Sequence, residues 1–232
     1  MPKSELSIVR VHNELLGTYG DRGNADVLAF RANARGVSAS IIDISYRDPV
    51  PTTGDIYLLG GAEDAAQVLS TDALNRSLFA ATIENGAVLL AICAGFQIIG
   101  KSYYAHGAKV DGVGLLDMDT VPGDRRYVGD IKLHSPWCES EITGFENHGG
   151  RTILGSELSP FGEVITGFGN GESTIDGAVS GNIFGTYLHG PVLARNPEFA
   201  DLLLARAVGK VLDPYEDELA ERYATERRAA VR

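Results

Sequence analysis

Apolar residues along this chain gather in short runs separated by glycine- and proline-bearing connections. Residues 87–92 (Ala-Val-Leu-Leu-Ala-Ile) form an unbroken apolar run, too short for a membrane span and lacking polar alternation. That is the pattern of a parallel strand buried on both faces. Residues 6–12, 40–45 and 55–59 read as earlier strands, with helices over about 25–35 and 65–84 between them. Phe96, Ile98 and Ile99 start a short helical segment that closes at Gly100. Strand–helix–strand alternation with short loops predicts an α/β fold: a mostly parallel, doubly wound sheet with flanking helices, whose sites lie at the carboxyl ends of its strands.

After Gly100 the texture changes. Residues 112–120, 128–137, 140–148 and 163–168 are short segments broken by polar residues and glycines, which predicts antiparallel strands and hairpins in the second half. Residues 123–127 (Gly-Asp-Arg-Arg-Tyr) put two arginines in an expected turn. A last strand over 182–188 runs into His189-Gly190-Pro191, and 197–212 reads as an amphipathic helix started by Asn196-Pro197. The expected organisation is one domain over 1–212 and a charged helical tail over 213–232. Tyr215, Leu219 and Tyr223 would form a narrow apolar stripe on that tail.

A net charge of −11, from 20 basic and 31 acidic residues, argues against nucleic acid or an anionic membrane as the main partner. Residues 1–5 lead into a strand with no signal-like apolar core, and no run approaches the roughly 18 apolar residues of a membrane span. A cytoplasmic protein is expected. The two cysteines, Cys93 and Cys138, form neither a disulfide framework nor a metal-ligand spacing, so no metal site is expected.

The chemistry centres on Cys93, which ends the apolar run and precedes Ala94-Gly95, small residues that permit a sharp strand-to-helix turn. At such a turn free amides and the helix dipole favour a thiolate and stabilise an oxyanion. Cys93 is therefore a nucleophile candidate, with a buried structural thiol as the alternative. Paired glycines after the strand at 55–59 make Gly61 N–H a candidate oxyanion donor, and Ala94 N–H is the second. His189, at another strand end, is the candidate base, and His148 is the next choice. Combined, these groups suit acyl transfer from an amide through a thioester. The loop at 15–24 holds three glycines, which signals backbone close to something, but it lacks the Gly-Lys-Ser/Thr of a phosphate loop.

Several motifs then line up in order: 19–24 (Tyr-Gly-Asp-Arg-Gly-Asn), Gly60-Gly61, 91–97 (Ala-Ile-Cys-Ala-Gly-Phe-Gln), Arg126 before Gly129, 144–151 (Gly-Phe-Glu-Asn-His-Gly-Gly-Arg), and 185–193 with Asn196-Pro197. In order and spacing the chain resembles class I glutamine amidotransferases of the cobyric-acid-synthase-like branch, nearest the glutaminase subunits of lipid II isoglutaminyl synthases. The resemblance implies that Cys93 attacks the side-chain amide of L-glutamine, that His189 serves as acid and base, and that Arg126 holds the substrate carboxylate, with Gln97 also contacting substrate. It implies ammonia delivery within a heterodimer to a Mur-ligase-like synthetase subunit, which would carry the ATP and Mg²⁺, leaving this chain without a cofactor.

Two departures from the family pattern stand out. Gly190-Pro191 follow His189 where many class I enzymes have a glutamate two residues on, so the third triad member must come from elsewhere; the resemblance points to an aspartate of the partner. Ala62 stands where glycine is common, and a positive φ there would strain it. The competing readings are a glutaminase serving another acceptor such as a corrinoid acid, for which a synthetase domain in the same chain is expected, a Cys-His peptidase of related fold, and an inactive scaffold for the ligase.

Overall fold

The computed structural model describes residues 4–75, 77–171 and 173–232, so the first three residues of the expected leaderless N-terminus, and position 76 in the expected helical span, lie outside the described residues. The first half alternates as its pattern requires: β1 (Glu5–Val11), α1 (Gly23–Asn33), β2 (Ser38–Ile44), β3 (Ile56–Leu59), α2 (Asp64–Asn75), α3 (Phe79–Glu84), β4 (Val88–Ile92) and α4 (Ala94–Ile98). Every residue of β3 and β4 is buried, which is why these strands lack polar alternation. The edge strand β2 keeps an alternating, partly exposed pattern.

The second half supplies β5 (Ser102–Ala105), β6 (Ala108–Asp111), β7 (Met118–His134), β8 (Ile142–Leu154), β9 (Gly162–Thr166), β10 (Ile175–Asp176), β11 (Ala178–Ser180), β12 (Ile183–Thr186), α5 (Val192–Arg195), α6 (Pro197–Val208) and α7 (Glu218–Ala230). Among the described residues the strands form two sheets. One runs β11-β12-β4-β3-β1-β2 and is parallel except for β11; the other runs β10-β9-β7-β5-β6, with β8 pairing β7, and is antiparallel apart from the β5–β7 pair. The last strand in sequence, β12, thus inserts beside β4 in the parallel sheet. Its register, Thr186 opposite Ile92, brings the ends of β12 and β4 level, and Leu59 opposite Ala91 does the same for β3.

Three expectations need correction. The stretch at 112–120 is mostly irregular, and the strand begins at Met118; a hairpin, β5–β6, precedes it. Gly123 to Tyr127 lie not in a free turn but within β7, where the pairing with β8 shifts register between Pro122 and Tyr127. This bulge bends the strand and re-aims its side chains. In the tail, Leu219 and Tyr223 are exposed, and α7 instead turns Ala224 inward, with Val231 buried just beyond its end. The inward face is chosen by charge. Asp217 accepts from Ala220 N–H as the helix cap and lies 3.7 Å from Arg31, which also pairs with Asp201, while Arg227 reaches Asp130 on β7.

Gly185 on β12 shows how tightly the layers meet: a Cβ there would lie 2.1 Å from Phe96 Cδ2 on α4. Gly185→Ala is expected to cost about 1–3 kcal/mol by overpacking, or roughly 2–12 °C in Tm, measured by thermal denaturation.

Candidate active site

Cys93 follows β4 directly and precedes the first residue of α4. Its backbone has φ 52° and ψ −106°, a left-handed value that costs an L residue about 1–3 kcal/mol. The turn is forced by close passage. Gly95 N–H donates to Gly60 O at 3.1 Å, and a Cβ on Gly95 would lie 2.6 Å from Leu59 O. Ala94 opens the helix, so its N–H is among the donors that a first helical turn leaves without an intrahelical acceptor. The thiol is nearly buried, at 7% exposure, and lines a cleft of about 310 Å³.

His189 reaches the same point from β12. Its backbone is clamped by two hydrogen bonds to Phe145 of β8, N–H to O in both directions (2.8 and 3.1 Å). Its Nδ1 lies 2.8 Å from Asp21 Oδ2, both side chains about 1% exposed. Its Nε2 is buried without a hydrogen-bond partner. Burial alone would lower the imidazolium pKa, but the charge of Cys93 and the hydrogen bond to Asp21 outweigh it and carry His189 up to about 10. These contacts favour the charged form of the ring.

Asp21 is the group that reading along the chain did not connect with His189. It sits in the loop after β1, which crosses the sheet edge and pairs with β3's exit through the Thr18–Gly61 bridge. The glycines of that loop now have a reason. A Cβ on Gly23 would meet Pro191 Cγ at 2.7 Å, and one on Gly17 would meet Asn13 O at 2.6 Å. Asp21 Oδ2 also accepts the Gly61 N–H at 2.8 Å. The Gly61 amide, expected to face an oxyanion, is thus occupied by Asp21, and Ala94 is left as the backbone donor at the cleft. The missing side chain of Gly61 has a different use: a Cβ would stand 2.6 Å from His189 Cε1. Ala62 has no positive φ, so the strain considered for it does not arise.

Arg126 projects from the bulge in β7 into the same cleft. Its Nε donates to Asn147 Oδ1 at 2.6 Å, and Asn147 Nδ2 donates to Tyr19 Oη at 2.9 Å. The Tyr19 ring lies 4.8 Å from that of His189. Glu63 and Asp64 line the cleft as well. Gln97 lines it with its amide already engaged, accepting from Gln67 Nε2 (2.9 Å) and donating to Tyr187 Oη (3.1 Å). It is a wall of the cleft as much as a contact for a ligand. His148 also lines the cleft, stacked on Tyr187 at 3.6 Å, with its Nδ1 2.9 Å from Gly150 O. Cys138 is a buried thiol whose pKa burial and the charge of Glu198 push to about 12, which suits a structural role. Among the described residues no group of three or more His, Cys, Asp or Glu is placed to hold a metal ion, and no helix is long and apolar enough to cross a membrane.

A strained cysteine between a parallel strand and a helix, with a histidine from the neighbouring strand end, is the geometry of a nucleophile elbow and its base. Residues 7–197 match the CobB/CobQ-like glutamine amidotransferase domain, and the chain belongs to that family. It is 36% identical to the GatD subunit of the lipid II isoglutaminyl synthase (glutamine-hydrolyzing) of Streptococcus pneumoniae, covering 96% of this chain and 90% of that protein. The identity is again 36% with the GatD subunit of Staphylococcus aureus, over 91% of this chain and 88% of the relative. A probable cobyric acid synthase of Methanococcus maripaludis is 31% identical, but the match spans only 34% of that longer protein. Among solved structures, PurLQS from Thermotoga maritima superposes with a TM-score of 0.56 at 18% identity, over 90% of this chain and 96% of that one, a likeness of fold.

Glycine relieves the strain at position 93. Cys93→Gly is expected to be more stable than Cys93→Ala by about 1 kcal/mol or more, reversing the usual Ala-over-Gly order, as measured by denaturant unfolding of the two variants.

Proposed function

We propose that this chain is the glutaminase subunit of a lipid II isoglutaminyl synthase. The observation that carries the reading is the buried Cys93–His189 pair at one end of a cleft that has Arg126 on its wall. L-Glutamine fits those groups. The Arg126 guanidinium, with Nε used on Asn147, has two terminal nitrogens to offer the α-carboxylate as a fork. Glu63 and Asp64 supply negative charge for the α-ammonium. The side-chain amide then extends toward Cys93.

The Cys93 thiolate attacks the carboxamide carbon, and the C=O electron pair moves to an oxyanion held by Ala94 N–H and the head of α4. Collapse of the tetrahedral intermediate breaks the C–N bond. The proton on His189 Nε2 goes to the departing nitrogen, which leaves as ammonia. The neutral imidazole next takes a proton from water, whose oxygen attacks the γ-glutamyl thioester, and glutamate and the thiolate are released. Ammonia is the useful product.

The acceptor is read from the relatives at 36% identity, which are subunits of lipid II isoglutaminyl synthases. On that basis the ammonia goes to a Mur-ligase-like synthetase subunit of MurT type, bound as a heterodimer in the cytoplasm. That subunit amidates the D-glutamate α-carboxyl of the lipid II stem peptide to D-isoglutamine, and carries the ATP and Mg²⁺. Near-complete coverage of the GatD relatives, against about a third of the cobyric acid synthase, favours this acceptor over a corrinoid acid.

Ammonia release from L-glutamine by the purified chain, with and without the co-expressed synthetase subunit, tests the reading. Release that is stimulated by the partner and abolished in Cys93→Ala is expected; no release in either condition from a folded chain refutes a glutaminase. Arg126→Lys should raise KM for glutamine about tenfold or more, with kcat changed only a few-fold, because a lysine keeps the charge but loses the fork worth about 1.5–3 kcal/mol.

A further inference from the structure

We infer that Asp21 is a positioning residue of the Cys93–His189 pair, holding the His189 ring from within this chain. This rests on reading Cys93 and His189 as the reacting groups, and not on glutamine or lipid II as their substrates. Three observations converge. The carboxylate meets Nδ1, the ring nitrogen remote from the reaction, at 2.8 Å, leaving Nε2 unpartnered beside the sulfur. The pair is buried, so its hydrogen bond is not diluted by water. The same oxygen accepts Gly61 N–H, which anchors the carboxylate to the end of β3 and fixes its direction.

The loop that carries Asp21 is shaped for this placement. Tyr19 and Gly20 both take positive φ, 60° and 82°, so the chain reverses sharply just before the aspartate. Tyr19 is held in that conformation from two sides, by its ring against His189 and by its hydroxyl accepting from Asn147. With Nδ1–H fixed on a carboxylate, the ring has one orientation, and a positive charge on it is stabilised.

The groups facing His189 come from each element around it. The loop after β1 gives Asp21 and Tyr19, and the β4–α4 turn gives Cys93. β8 gives only the Phe145 backbone, while its Glu146 is turned to Phe168 and Gly169 N–H groups and to His148. From α5, Arg195 lies by Gly190 and is paired with Asp130. Asp21 is thus the carboxylate in contact with the ring. Without it, the equilibrium between thiolate–imidazolium and thiol–imidazole shifts to the neutral form, and a thiolate forms only at higher pH.

The test is the pH dependence of Cys93 alkylation by iodoacetamide in the full chain, followed by peptide mass spectrometry, a readout that needs no glutamine. Asp21→Asn and Asp21→Ala are expected to move the midpoint of the rate profile upward by one pH unit or more. A midpoint in Asp21→Asn equal to wild type overturns the proposal. An assay that leaves Asp21 intact covers the case in which its variants do not fold: in Cys93→Ala, the His189 Nδ1 proton followed by NMR is expected far downfield and slow to exchange, as a proton hydrogen-bonded to a buried carboxylate. An Nδ1 proton that exchanges freely with solvent overturns the proposal. A wild-type chain that releases no ammonia from glutamine, yet shows the shift on Asp21→Asn, would refute the glutaminase and leave the role of Asp21 standing.

Discussion

Everything at this site depends on backbone passing where no Cβ fits. Gly60 lies against Leu16 O, Gly95 against Leu59 O, Gly61 against the His189 ring and Gly185 against Phe96, each with a hypothetical Cβ at 2.6 Å or less. Those contacts draw the ends of β1, β3, β4 and β12 together, and they hold Cys93 at its left-handed φ. The strain of about 1–3 kcal/mol is small beside what surrounds it. Leu59, Leu90, Ile92 and Phe96 are all essentially buried, and each such side chain contributes about 1.5–3 kcal/mol. Two of them offset the strain, so the turn is stable without any contact made by the thiol itself.

Below the cleft the same logic is carried by polar groups. Gln67, Gln97, Tyr187 and Thr152 form a continuous buried row that ends on Thr120. A single such bond adds only about 0.5–1.5 kcal/mol net, but removing one partner strands another at about 1–3 kcal/mol. The row therefore behaves as one rigid floor tying α2 and α4 to β12 and to the β7–β8 sheet. Gln97 belongs to that floor, which explains why a residue one helical turn beyond Cys93 presents an engaged amide to the cleft.

The parallel sheet and its functional edge were legible because they follow from local signals. An apolar run without alternation gave β4, the small residues after it gave the turn, and Gly61 and His189 fell at strand ends by the same rule. What was not legible depends on pairings across the chain. Asp21 and His189 are 168 residues apart, and nothing in 19–24 beyond its glycines says which element those backbones approach. Arg126 read as a turn residue because a β-bulge has the polar, glycine-bearing composition of a turn; only the register with β8 separates them. The tail misled for a further reason. Its apolar stripe suggested one inward face, but the ion pairs of Asp217 and Arg227 orient the helix on a small residue, Ala224.

The loop after β1 and the strand β8 make the two ends of the cleft mechanically dependent. Phe145 of β8 clamps the His189 backbone, while Asn147, two residues on and on the same face of the strand, holds Arg126 and reaches Tyr19. Tyr19 and Asp21 in turn touch the His189 ring from the other side. Arg126 and His189 thus share one frame of contacts that runs through the loop after β1, β7, β8 and the end of β12. A rotation of the loop that freed Asp21 would pull Tyr19 from Asn147 and loosen Arg126 as well. Whatever fixes Arg126 therefore opposes that rotation, and order at one end of the cleft is tied to order at the other through contacts already present in the chain.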